Sequence, residues 1–208
     1  MATKEDEIGL NERLMLIETM IAEGRRTTES FSWVFVLWGL AYYVAIAWST
    51  GGFTGVIWGS RYLAWPVTMI ATFVLTWAVA MRKGRGRKHP VTTHGRAIGS
   101  IWIAMGISMF ILLLCLGLSG RGDQQVFIAV TTTMLGTTNA ACGLLLKWKQ
   151  QFACAIVWWL AAVASLFGTV TQSTIAFLVA IFLCQIVFGV YGMFCEARLR
   201  KLRGTIHA

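Results

Sequence analysis

The stretch Met81–Arg96, MRKGRGRKHPVTTHGR, carries six of the chain's eighteen Lys and Arg residues: Arg82, Lys83, Arg85, Arg87, Lys88 and Arg96. On either side of it the sequence turns almost wholly apolar, with Tyr62–Met81 before it and Ala97–Leu118 after it free of any charged residue. A run of roughly 20 apolar residues is what a helix needs to cross a hydrocarbon layer about 30 Å thick. The stretch therefore reads as a loop between two membrane spans.

Four further windows of the same kind follow from the same criterion: Phe31–Trp48, Val126–Leu146, Phe152–Val170 and Ile175–Phe194. Hydrophobic residues make up 57% of the chain and charged ones 13%, against roughly 45–50% and about 25% in soluble domains. The expected fold is all-α: a polytopic membrane protein of six transmembrane helices preceded by an amphipathic helix. Residues 1–30 form the acidic N-terminal segment, 31–196 the six-helix transmembrane domain and 197–208 a basic tail. The first thirty residues hold seven acids and no apolar core, so they do not read as a cleavable signal.

Lys and Arg resist translocation, and the charges beside spans set orientation. Sixteen of the eighteen fall in alternate segments: the N-terminal region, the Arg82–Arg96 loop, the connection holding Lys147 and Lys149, and the tail. The other connections hold only Arg61, Arg121 and, between Val170 and Ile175, no basic residue. The pattern predicts a multi-pass protein of the cell's inner membrane with both termini cytoplasmic. Trp48, Trp58 and Trp65 near the outer ends and Trp33, Trp77 and Trp148 near the inner ends fit two interfacial aromatic belts.

The basic loop has a second expected role as a contact for anionic lipid or an acidic partner, each charge near the surface contributing roughly 1 kcal/mol. Nucleic acid is not expected as a partner, because no recognition fold accompanies the charge. Leu10, Leu14, Ile17 and Ile21 share one face of the N-terminal helix, with Glu5, Glu12 and Glu23 opposite. Helices that lie on membranes carry Lys and Arg on the polar face. This acidic one is expected instead to dock, over residues 4–23, on protein at the cytoplasmic side.

Within the spans, polar and small residues form two stripes of matching spacing: Thr132, Gly136, Asn139 and Gly143 in the fourth, and Gln185, Gly189, Gly192 and Glu196 in the sixth. Small residues admit close helix approach and carboxamides supply interhelical hydrogen bonds. Asn139 and Gln185, the two carboxamides inside the predicted windows, fall near the same depth, so the two stripes are expected to meet. They read as helix-packing surfaces or, alternatively, as the lining of a pathway together with Thr133. Smaller stripes, Ser100, Ala104 and Ser108 in the third span and Ala161, Ser165 and Gly168 in the fifth, read as packing surfaces.

No catalytic constellation is visible. His89, His94 and His207 lack carboxylate or thiol neighbours at metal-ligand spacing, phosphate-loop and hydrolase motifs are missing, and the five cysteines show no C-x-x-C and read as small apolar side chains. No cofactor or metal is expected. The functional expectation is a non-catalytic, self-associating membrane protein that acts through protein contacts at its cytoplasmic face, with membrane lipids, further copies of itself or another protein as partners. The alternative is a small carrier or channel for an uncharged or lipid-like solute.

Overall fold

A computed structural model describes residues 12–20, 32–51, 63–85, 93–119 and 123–206, and every regular element among them is a helix. Six are long and apolar enough to cross a membrane: α1 (Ser32–Ser49), α2 (Ala64–Arg85), α3 (Thr93–Ser119), α4 (Gln124–Leu145), α5 (Lys149–Phe167) and α6, which runs from Val170 to Ile206 with a π-helical insert at Phe182–Val187. The chain is a multi-pass helical membrane protein by length and composition. The end holding the Arg82–Arg96 connection, the α4–α5 turn and the end of α6 is called the basic end below.

The helices are unequal. In α4, 61% of the membrane-length window is buried, whereas in α2 and α3 the share is 11%. The core is therefore a four-helix unit of α1, α4, α5 and α6, with α2 resting on α1 and α3 on α4.

Glycines set the closest approaches. A methyl group built on Gly136 would stand 2.5 Å from the Trp159 ring, and one on Gly143 would stand 2.8 Å from the Phe152 main-chain nitrogen, so α4 and α5 form a tightly packed antiparallel pair. Gly39 on α1 faces the Gln185 and Ile186 side chains, Gly189 faces Val36 and Phe35, and Gly192 faces Ser32. These contacts close the first helix onto the last. Tyr43 donates from Oη to the Leu178 carbonyl at 2.8 Å across the same seam.

Aromatic rings pack along the α1–α6 seam and join it to α2 and α3. Phe35 meets Trp102 and Phe188 edge-on, each at 5.3 Å, and Tyr42 lies 6.1 Å from both Trp65 and Phe177. Trp65 and Trp148, expected in the interfacial belts, pack inward instead: Trp65 on Phe127 at 5.6 Å and Trp148, 1% exposed, on Phe188 at 5.1 Å. Trp77 remains 60% exposed, as a belt residue would.

The turns explain the other departures from the hydropathy windows. Gly168 caps α5, and Thr169 opens α6 with a capping box: Gln172 N–H donates to Thr169 Oγ1 at 3.3 Å and Thr169 N–H to Gln172 Oε1 at 2.8 Å. Satisfying orphan amides in this way starts a helix wherever the motif sits. Val170 is thus the first residue of α6, and Ser173, expected in a loop, is fully buried within it. At the other end α6 continues through the expected tail to Ile206.

The α4–α5 turn is a Schellman motif, with Trp148 N–H bonding the Gly143 carbonyl at 2.8 Å and Lys147 N–H the Leu144 carbonyl at 3.2 Å. Lys147 occupies the left-handed position, with φ 48°.

Of the N-terminal segment, residues 12–20 are helical. Leu14 and Ile17 are each about half exposed on the single chain. Leu10 and Ile21, which complete the expected apolar face, lie outside the described residues, as do Glu5 and Glu23.

Candidate functional site

The two polar stripes do not lie on each other. Gly136 and Gly143 face α5, while Gly189 and Gly192 face α1. The close approach of α4 to α6 is concentrated on Val170–Ile181, the part of α6 farther from the basic end. Matching spacing set which face of each helix is small, but not which helix that face meets.

The hydroxyls divide into two kinds. Thr132 Oγ1 donates to the carbonyls of Ile128 and Ala129 at 2.7 and 3.0 Å, and the largely exposed Thr133 donates to Ala129 at 2.8 Å, so both are satisfied by their own helix. Thr131 is fully buried, and its Oγ1 has no hydrogen-bond partner among the described residues.

The carboxamides carry the greater imbalance. Asn139, 1% exposed, donates from Nδ2 to the Leu135 carbonyl at 2.9 Å, leaving Oδ1 unbonded. Gln185, 3% exposed and inside the π-helical turn, has Oε1 unbonded. A third carboxamide, Gln151, is fully buried with neither Oε1 nor Nε2 bonded. Gln151 was missed from sequence because α5 begins at Lys149, whereas the apolar window opens at Phe152. Its signal was the alignment of Gln151, Trp158 and Ser165, seven residues apart on one helical face.

At the far end, several polar groups on α4 are paired. Asp123 caps α4 by accepting from Gln125 N–H at 2.8 Å and Val126 N–H at 3.4 Å. Gln125 Nε2 bridges to the carbonyls of Ser165 and Gly168 at 3.2 and 2.7 Å, and Gln124 Nε2 donates to Thr174 Oγ1 at 3.0 Å.

At the basic end, Arg82 on α2 and Arg96 on α3 are exposed. Lys83 and Arg85 belong to α2, while Arg87, Lys88 and His89 lie outside the described residues. Glu196 is partly buried near the same end of α6. Among the described residues no group of three or more His, Cys, Asp or Glu is placed to hold a metal ion. All five cysteines are free thiols, and Cys142, Cys154 and Cys184 are buried.

No known protein family, curated protein or solved structure matches this chain. Function must therefore be argued from the residues.

Proposed function

We propose that the chain is a non-catalytic integral protein of the cell's inner membrane that self-associates through α2 and α3 and acts through protein contacts at its basic, cytoplasmic face. The observation that carries this reading is the openness of α3. Gly99 and Gly106, seven residues apart, have nothing among the described residues within 4 Å of where a Cβ would stand, and Ser100, Ala104 and Ser108 are exposed. Lipid gives helices no hydrophobic reason to associate, and small residues are enriched where helices meet because they let backbones approach.

The orientation rests on sixteen of eighteen basic residues falling on one side of the membrane. The N-terminal helix belongs to the same reading. Its half-exposed Leu14 and Ile17 need a cover, and its acids suit a face rich in Arg and Lys.

The test is Gly99→Leu together with Gly106→Leu, read by photobleaching steps of fluorescently tagged protein diluted in lipid vesicles. Because both sites are open in the single chain, the expected result is an unchanged helical circular-dichroism spectrum with a shift from multiple to single bleaching steps. Unchanged step counts, or single steps in the native protein, would refute self-association through this face.

A further inference from the structure

Six side chains on three mutually packed helices carry polar atoms that are shut off from solvent and bonded to nothing among the described residues: Thr131 and Asn139 on α4, Gln151 and Trp158 on α5, and Ser173 and Gln185 on α6. An unbonded amide in an apolar medium costs several kcal/mol, and native interiors hold few such groups. Six together call for a physical reason.

Their placement supplies one. Gly143 against Phe152 and Gly136 against Trp159 fix the register of α4 on α5, setting Asn139 level with Ile156 and Thr131 level with Ala164. Cys184 Sγ donates to the Cys154 carbonyl at 3.5 Å, setting Gln185 near Cys154 and Ser173 near Ser165. Read along α5 from the basic end, the order is Gln151, then Gln185 and Asn139, then Trp158, then Thr131 and Ser173. At 1.5 Å per residue this file extends for about 21 Å, roughly two thirds of the hydrocarbon thickness.

All six side chains are buried within the bundle. Gln151 and Trp158 are seven residues apart and fully buried on one face of α5. On α6, Gln185 lies in the π turn with its Cβ beside Gly39, so α1 closes that side of the path. Such turns occur mostly as single interruptions of α-helices and are frequent at functional sites.

We propose that α1, α4, α5 and α6 enclose a hydrogen-bonding path for a small neutral solute that carries both donors and acceptors, of the class of urea or glycerol. Carboxamides offer both kinds of partner, so such a solute exchanges its water hydrogen bonds for protein ones as it advances. None of the six residues is ionisable in the physiological range, and an ion would have to leave water without a counter-charge, at a far greater cost than a neutral molecule. All six residues are at most 3% exposed, so the path is closed at rest.

The experiment is stopped-flow light scattering of vesicles containing the full-length protein, with urea and glycerol gradients in parallel with a purely osmotic one. The native protein is expected to raise urea or glycerol permeability at least tenfold over empty vesicles. Thr131→Val, which removes the hydroxyl with little change of shape, and Gln151→Met are each expected to return it toward the empty-vesicle level. Helical content and monodisperse elution of each variant report folding; should Gln151→Met misfold, Thr131→Val and Ser173→Ala decide. Solute permeability equal to that of empty vesicles, variants that conduct like the native protein, or passage of water with both solutes excluded would each overturn the proposal.

Discussion

Gly143 presses against the main chain of Phe152 so closely that a methyl group on it would stand 2.8 Å from the amide nitrogen. Backbone cannot move aside as a side-chain tip can, so Gly143→Ala forces α4 and α5 apart. Overpacking of this kind costs roughly 1–3 kcal/mol. Gly106 on α3 has nothing among the described residues within 4 Å of its Cβ position, so Gly106→Ala is expected to leave the single chain at least as stable. Thermal unfolding of both variants in detergent checks the contrast; equal midpoints would mean that the α4–α5 pair is looser than described.

Lys147 ends α4 in the left-handed region, with φ 48°. That conformation costs an L-residue roughly 1–2 kcal/mol and glycine almost nothing. Lys147→Gly is therefore expected to stabilise the α4–α5 hairpin by up to about 1 kcal/mol, the gain being trimmed by glycine's greater freedom when unfolded. A lower unfolding midpoint for the variant would show that the lysine side chain contributes more than its backbone conformation costs.

Much of this architecture was legible in the sequence because hydropathy is summed over some twenty residues. Six spans, and the presence of Gly136, Gly143, Gly189 and Gly192 on close-packing faces, survive small errors in register. Pairing was not legible, since a small face carries no label for its partner: the fourth span's stripe meets α5 and the sixth span's meets α1. Boundaries failed where a local hydrogen bond overrules hydropathy. Thr169 and Gln172 form a capping box inside what reads as one apolar-to-polar transition, and this moved Ser173 from a loop into the interior. Gln151 was hidden by the same weakness, standing one residue outside a window chosen for apolarity. Position near a span end points Trp65 and Trp148 to the interfaces, although only tertiary packing decides whether a terminal tryptophan turns outward or inward.

At the far end of the bundle two side chains at the start of α4 reach other helices, Gln124 to Thr174 of α6 and Gln125 to the end of α5. Gln125 donates from Nε2 to the carbonyls of both Ser165 and Gly168, the groups that end α5, while its own amide is capped by Asp123. Gln125→Leu removes a double bridge that neutral hydrogen bonds value at roughly 0.5–1.5 kcal/mol each. Asp123→Ala removes the cap, at about 0.5–2 kcal/mol. Because both changes bear on one cluster, their combined cost in a double-mutant cycle is expected to fall short of additivity. Strict additivity of the unfolding free energies would separate the cap from the bridge.

The N-terminal helix offers the last test, because its two kinds of surface make different demands. Leu14 and Ile17 are each about half exposed on the single chain, and Glu12 and Glu18 stand on the same short helical segment. Exposed ion pairs contribute about 0–1 kcal/mol and are screened by salt, whereas full burial of a leucine or isoleucine side chain contributes about 1.5–3 kcal/mol. Apolar cover should therefore decide whether the segment docks, and charge should decide where. In membranes, Leu14→Ser combined with Ile17→Ser is expected to speed proteolysis of the N-terminal segment more than Glu12→Lys does, and raising the salt concentration should reproduce the milder effect of the charge change. Proteolysis rates that respond to Glu12→Lys and salt but not to the two serines would show a helix held by charge alone, and would remove the apolar face from the contacts proposed for the basic side of the protein.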